Sequence, residues 1–123
     1  MTNDSITAGG RDSSCSPVSC SITIVLCTFP DLERARKISR EIVSRKLAAC
    51  ANIVPSIESI YSWKGELQSE AEVLVIFKIL SEKFPDFEKT MISLHPYDVP
   101  EIVGISAADI EARYAQWVRN SCT

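Results

Sequence analysis

The sequence is sparing with the residues from which most sites are built, holding one histidine and four glycines among 123 residues. A lone histidine cannot make a transition-metal site by itself, because specific binding needs about three or four donors and no second histidine or cysteine stands three or four residues away. Two of the glycines, Gly9 and Gly10, stand near the N-terminus, so a glycine-rich phosphate loop has little to build on. The longest run of large apolar residues, Val73 to Phe77, is far below the roughly 20 residues that cross a bilayer. No charged start followed by an apolar stretch opens the chain, and a soluble, cytoplasmic protein is expected. A net charge of −3 offers no attraction to nucleic acid or an anionic membrane. The five cysteines, at 15, 20, 27, 50 and 122, are odd in number and without Cys-x-x-Cys spacing, which argues against a zinc finger or a disulfide scaffold. Cys27 and Cys50 lie in apolar runs and read as buried, reduced thiols.

What remains is ordinary for one globular domain, with 46% hydrophobic and 24% charged residues. Residues 1–20 are rich in Ser, Gly, Asp and Thr and read as a flexible tail, with the domain occupying 21–123. The β-branched run from Ser21 to Thr28 reads as a strand, apolar on both faces. Leu32, Ala35, Ile38, Ile42 and Val43 then recur at helical spacing, with Asp31 as cap and the helix running to about Lys46. Its outward Arg34, Arg36, Lys37, Arg40 and Arg45 read as a solvated face, since Glu33 and Glu41 supply partners.

From Leu47 to Trp63 the pattern is extended, with a bend or bulge predicted at Pro55. Lys64-Gly65-Glu66 forms a turn, and a second strand returns through Gln68 to Lys78. On that return strand Val73, Val75, Phe77 and Ile79 make one apolar face, yet Leu74 and Ile76 on the other are apolar too. One helix layer covers one face, so Leu74 and Ile76, with Val25 and Ile60, are expected to need a second protein surface. Leaving each in water forfeits roughly 1.5 to 3 kcal/mol. A second helix spans Pro85 to Leu94, a last strand Glu101 to Ala107, and a closing helix from Asp109 is expected to bury Ile110, Tyr114, Trp117 and Val118. The order predicts an α+β, ferredoxin-like β-α-β-β-α-β fold with an added C-terminal helix and a four-stranded antiparallel sheet.

Between the second helix and the last strand lies Leu94-His95-Pro96-Tyr97-Asp98-Val99-Pro100-Glu101-Ile102. The two prolines push His95 and Val99 toward extended backbone and make the run a stiff connector with its side chains aimed. For a metal, Cys27 is the soft donor, His95 the imidazole, and Asp98 and Glu101 the hard donors, a mixture suited to copper or zinc. The plain alternative for His95 is a turn histidine bonded to nearby backbone. A third reading makes His95 a general acid or base beside Asp98 or Glu101, with Cys27 as nucleophile; no oxyanion or phosphate loop supports it, and no enzyme is expected. Tyr61, Trp63, Lys78 and Tyr97 complete the unusual residues, the aromatics fitting an interface.

Three of these stretches, Leu47 to Pro55, Ser59 to Glu66 and His95 to Ile102, closely resemble the CutA divalent-cation tolerance proteins, in the same order and spacing across about residues 21–120. The resemblance implies a tight homotrimer of ferredoxin-like protomers with long hairpins pairing between subunits. It also implies a role in tolerance to copper or another divalent ion, with copper(II) or another divalent cation as the bound ion. A second implication is a trimeric signalling or scaffold module that binds a small metabolite or protein partner between subunits. By residue, it makes Cys27 and His95 metal-site positions and sets Tyr61, Trp63, Lys78, Tyr97 and Glu101 along the intersubunit cleft. Asp98 stands where many members have glutamate, and Leu94 where some place a second histidine. Ser62, Gln68 and Ile79 also depart from the usual residues.

Overall fold

The structure is a computed structural model that describes residues 21–123; the expected tail over residues 1–20, with Cys15 and Cys20, lies outside the described residues. The β-branched segment Ile22–Phe29 forms β1. Asp31 then caps α1 (Leu32–Ser44), its carboxylate accepting from the Arg34 N–H at 2.8 Å. The helix stops two residues short of Lys46, which takes a left-handed φ of 61°. The N–H groups of Lys46 and Leu47 close the end onto the carbonyls of Val43 and Ile42.

Strands β2 (Cys50–Trp63) and β3 (Glu66–Leu80) form one long hairpin. Its two-residue turn, Lys64-Gly65, has φ of 51° and 81°, the positive pair that matches strand twist. The pairing register shifts between Val54 and Ile57, across Pro55, which has no N–H to give the ladder. A 3₁₀ turn over Ser81–Lys83 leads into α2 (Phe84–Leu94), which ends where Pro96 holds His95 extended. The last strand, β4 (Val103–Ser106), is shorter than the expected Glu101 to Ala107, and α3 (Ala112–Ser121) begins three residues after Asp109. Glu111 caps α3 by accepting from the Tyr114 N–H. The sheet is antiparallel, in the order β2-β3-β1-β4, so the expected ferredoxin-like arrangement is present.

Alternation decides what each face meets. Val25, Cys27, Phe29, Val75, Phe77 and Ile79 point toward α1 and α2 and are fully buried with Phe87 and Met91. The Phe77 and Phe87 rings meet edge to face at 5.0 Å. Val25 therefore corrects the expectation that it is uncovered: its partner is Phe77, which fixes it on the helix side. The residues that share the opposite face with Leu74 and Ile76 are Ile24 and Leu26 of β1 and Val103 and Ile105 of β4. Ile60 is 65% exposed, but it pairs with Ser69, and the shift across Pro55 sets it on the other side from Leu74. Helix α3 covers only one end of this second face, with Ala115, Val118 and Cys122 against Ile22, Ala49 and Leu80. Ile110 and Trp117 are exposed, not buried, because the helix starts too late to carry Ile110 and turns Trp117 outward.

Phe87→Ala should lower the unfolding free energy by about 3 to 5 kcal/mol in urea titrations at fixed protein concentration. Asp31→Ala should cost about 1 kcal/mol, and Asp31→Ser should recover most of it.

Candidate functional site

The stiff connector after α2 folds its histidine inward. His95 is only 8% exposed and stacks on Phe29, ring centroids 4.7 Å apart. The Tyr97 N–H donates to Nδ1 at 3.1 Å, so Nδ1 carries no proton, and Nε2–H donates to the Thr28 carbonyl at 2.8 Å. Both ring nitrogens are thus committed to backbone, as in the plain reading of a turn histidine. Burial lowers the pKa of His95, against the opposing pull of the Thr28 carbonyl and the Glu72 charge.

His95 in turn sets Tyr97, whose ring lies 4.8 Å away and whose hydroxyl donates to Glu72 Oε2 at 2.6 Å. Burial and then this bond raise the tyrosine pKa. Glu72 faces outward on β3 from the same side as Leu74, and Glu70, two residues on, accepts from the Tyr61 hydroxyl at 2.8 Å. Glu101 has its pKa raised by desolvation and by the Glu72 charge. Its own charge adds to burial in pushing the Cys27 thiol up to about 12. His95, Tyr97, Glu72, Glu101 and Cys27 therefore share one neighbourhood where the connector crosses β1 and β3.

The other expected site residues are spread out. Asp98 is exposed on the connector. Lys78 donates to Asn52 Oδ1 on the same open face, but six residues from Glu72 along β3. Trp63, 60% exposed, pairs with Glu66 at the hairpin tip. At about 3.3 Å per residue, Lys78 and Trp63 stand roughly 40 Å apart along the ribbon, too far to line one crevice within one chain. Among the described residues, no three of His, Cys, Asp and Glu gather closely enough to hold one ion. Glu70 and Glu72 were passed over in reading the sequence. Their signal was the period of two that aligns Glu66, Glu70 and Glu72 with Leu74, Ile76 and Lys78 on one face.

Residues 23–121 match the family described as CutA1 divalent ion tolerance protein. The chain is similar to the divalent-cation tolerance protein CutA of Thermus thermophilus, 42% identical over 98 residues that cover 80% of this chain and 95% of the relative. It is 37% identical to human protein CutA, covering 88% of this chain and 60% of that protein, so the longer relative extends well beyond the match. Among solved structures, CutA1 from Oryza sativa superposes with a TM-score of 0.83 at 35% identity, covering 86% of this chain and 97% of the other. The Thermus thermophilus Cut A1 structure gives a TM-score of 0.80 at 40% identity, covering 83% and 99%.

The hydrogen bonding at His95 carries a pH signature. Its folded pKa lies below the ordinary 6.5, so as pH falls below 6.5 the unfolded chain takes up a proton that the folded chain resists. Stability contributed by neutral His95 is complete above that value and is lost toward lower pH, by at most about 1.4 kcal/mol per pH unit. Denaturant titrations of wild type and His95→Gln should show the wild-type advantage shrinking as pH drops from about 7 to about 5.5. A constant advantage would contradict the neutral, doubly bonded ring.

Proposed function

The chain belongs to the CutA1 divalent ion tolerance family, and on that premise we propose that it contributes to divalent-ion tolerance by binding such ions, copper among them, between the subunits of a homotrimer. The observation that carries this reading is the open sheet face. Ile24, Leu26, Leu74 and Ile76 lie only partly buried across its middle, with Val103 and Ile105 at 45% and 47% exposure beside them. The long β2 and the short β4 are both edge strands, free along their outer sides in one chain. A repeated contact between two different edges closes into a ring when the rotation allows, and a three-membered ring turns the open faces inward. The hairpin, which reaches past the core with Leu67 78% exposed, then has a neighbour to lie against.

The ion is placed by this reading where the connector crosses β3. Glu101 lies within reach of the Glu72 charge, and Asp98 stands on the exposed connector nearby in sequence. These are the donors within reach of solvent. One chain supplies too few of them, and a neighbouring subunit completes the set, which accounts for an ion site that needs the assembly. Cys27, with its proton held until about pH 12, and His95, with both nitrogens occupied, support the site rather than form it. Cys27 faces the core as a neutral thiol, and His95 is a positioning residue that holds Tyr97 against Glu72. The reading is one of binding without a catalytic step, since neither residue is free to serve as nucleophile or base.

Equilibrium dialysis against copper(II) tests the assignment. The double variant Glu72→Gln/Glu101→Gln should bind at least about tenfold more weakly than wild type, as expected when charged oxygen donors become neutral. Cys27→Ala should bind like wild type. Unchanged binding in the carboxamide pair, or loss of binding in Cys27→Ala alone, would contradict the oxygen-donor site.

A further inference from the structure

The outward side of α1 carries charge that the fold leaves unanswered. Residues 31–46 hold six basic and three acidic side chains, whereas residues 47–123 hold six basic and eleven acidic ones. A segment of balance +3 thus sits on a body of balance −5. Part of it is neutralised locally: Arg34 pairs with Asp31 at 3.6 Å, Arg45 with Glu41 at 2.6 Å, and the Lys46 ammonium donates to the Thr123 carbonyl. Arg36, Lys37 and Arg40 have no ion pair among the described residues, so the interspersed acids do not supply all the partners that the sequence suggested. Their spacing sets them on one side of the helix, around a shallow depression of about 540 Å³ that Glu33, Glu41 and Ser44 also line, leaving a positive balance there.

A second groove, of about 400 Å³, runs beside it between α1 and the end of α2. Lys37 borders both hollows. The second is floored by Ile38, Leu94 and Pro96 and edged by Arg34, Lys37 and Glu41, so a rim of net positive charge adjoins an apolar slot. We propose that this surface docks an acidic, amphipathic segment of another protein. Its carboxylates pair with Arg36, Lys37 and Arg40, and one aliphatic or aromatic side chain enters the slot over Ile38, Leu94 and Pro96. Charge complementarity selects the class of partner, and the slot separates it from a plain polyanion. A nucleic acid fits less well: the chain as a whole is acidic, and the exposed aromatics Tyr61, Trp63 and Trp117 lie on other elements, leaving no base-stacking platform here. The surface lies on the helix side of the sheet, opposite the face that the proposed assembly covers, and stays accessible whether or not the chain associates.

The test is fluorescence anisotropy of the full chain with a labelled synthetic peptide of glutamates interrupted by leucines. Binding should weaken about tenfold as salt rises from about 50 to about 300 mM. Arg36→Glu/Arg40→Glu should lose this binding and gain binding to the matched peptide carrying lysines in place of glutamates, with circular dichroism and mass unchanged. Equal binding by the charge-reversed chain would overturn the proposal. So would equal affinity for polyglutamate without leucines, or a preference for oligothymidylate. A rise in wild-type mass that the reversed chain lacks would assign the surface to a second copy and overturn it as well.

Discussion

A strand whose side chains alternate strictly, and which is apolar on both sides from Val73 to Phe77, imposes two covers on the sheet it joins. Helices α1 and α2 provide one over Val75, Phe77 and Ile79. The closing helix provides a part of the other, over Ile22, Ala49 and Leu80. The middle of the second face, from Ile24 to Ile105, is left open by the described residues. Most of the remaining architecture can be understood as managing that strip: a four-residue edge strand on one side, and on the other a fourteen-residue strand that carries its pairing far beyond the core.

The irregularity at Pro55 links this constraint to the site. Before it, Cys50, Asn52 and Val54 face the same way as Lys78, Ile76 and Leu74; after it, Ile57, Ser59, Tyr61 and Trp63 do. The extra residue shifts the parity of the outer hairpin, so that Tyr61 meets Glu70 and the acidic row of β3 rather than the far side. The apolar strip then grades into an acidic one along a single face, and the His95 connector is fastened at the boundary. Burying a neutral imidazole there costs little because both nitrogens are satisfied by backbone. What it secures is the direction of Tyr97 toward Glu72.

Much of the fold was legible before any coordinates. The switch from period two to period 3.6 after Pro30 marks α1, Asp31 marks its cap, and Pro96 marks the end of α2. The doubly apolar return strand was visible as well. Which side of β1 faces the helices was not, because both of its faces are apolar and only pairing with β3 decides it; hence Val25 was assigned to the wrong face. The apolar spacing of the closing helix says nothing of where it begins, so a start at Asp109 and burial of Ile110 and Trp117 are expected, whereas the helix starts at Ala112 with Glu111 as its cap. At the candidate site, the peculiarity of the His95 run was legible, but its use was not. Whether an imidazole meets metal or backbone depends on a carbonyl 67 positions away in sequence, that of Thr28. Glu72, the residue that ties Tyr97 to the hairpin, is one acid among several on a polar stretch and stands out only once the register is known.

The proposed homotrimer covers the strip between Ile24 and Ile105 with further copies of the chain. Sedimentation equilibrium at low micromolar concentration measures this directly. The account predicts a single species of three times the 13.6 kDa chain mass, reduced to smaller species by Ile76→Glu. A stable, soluble single chain in the wild type would contradict it.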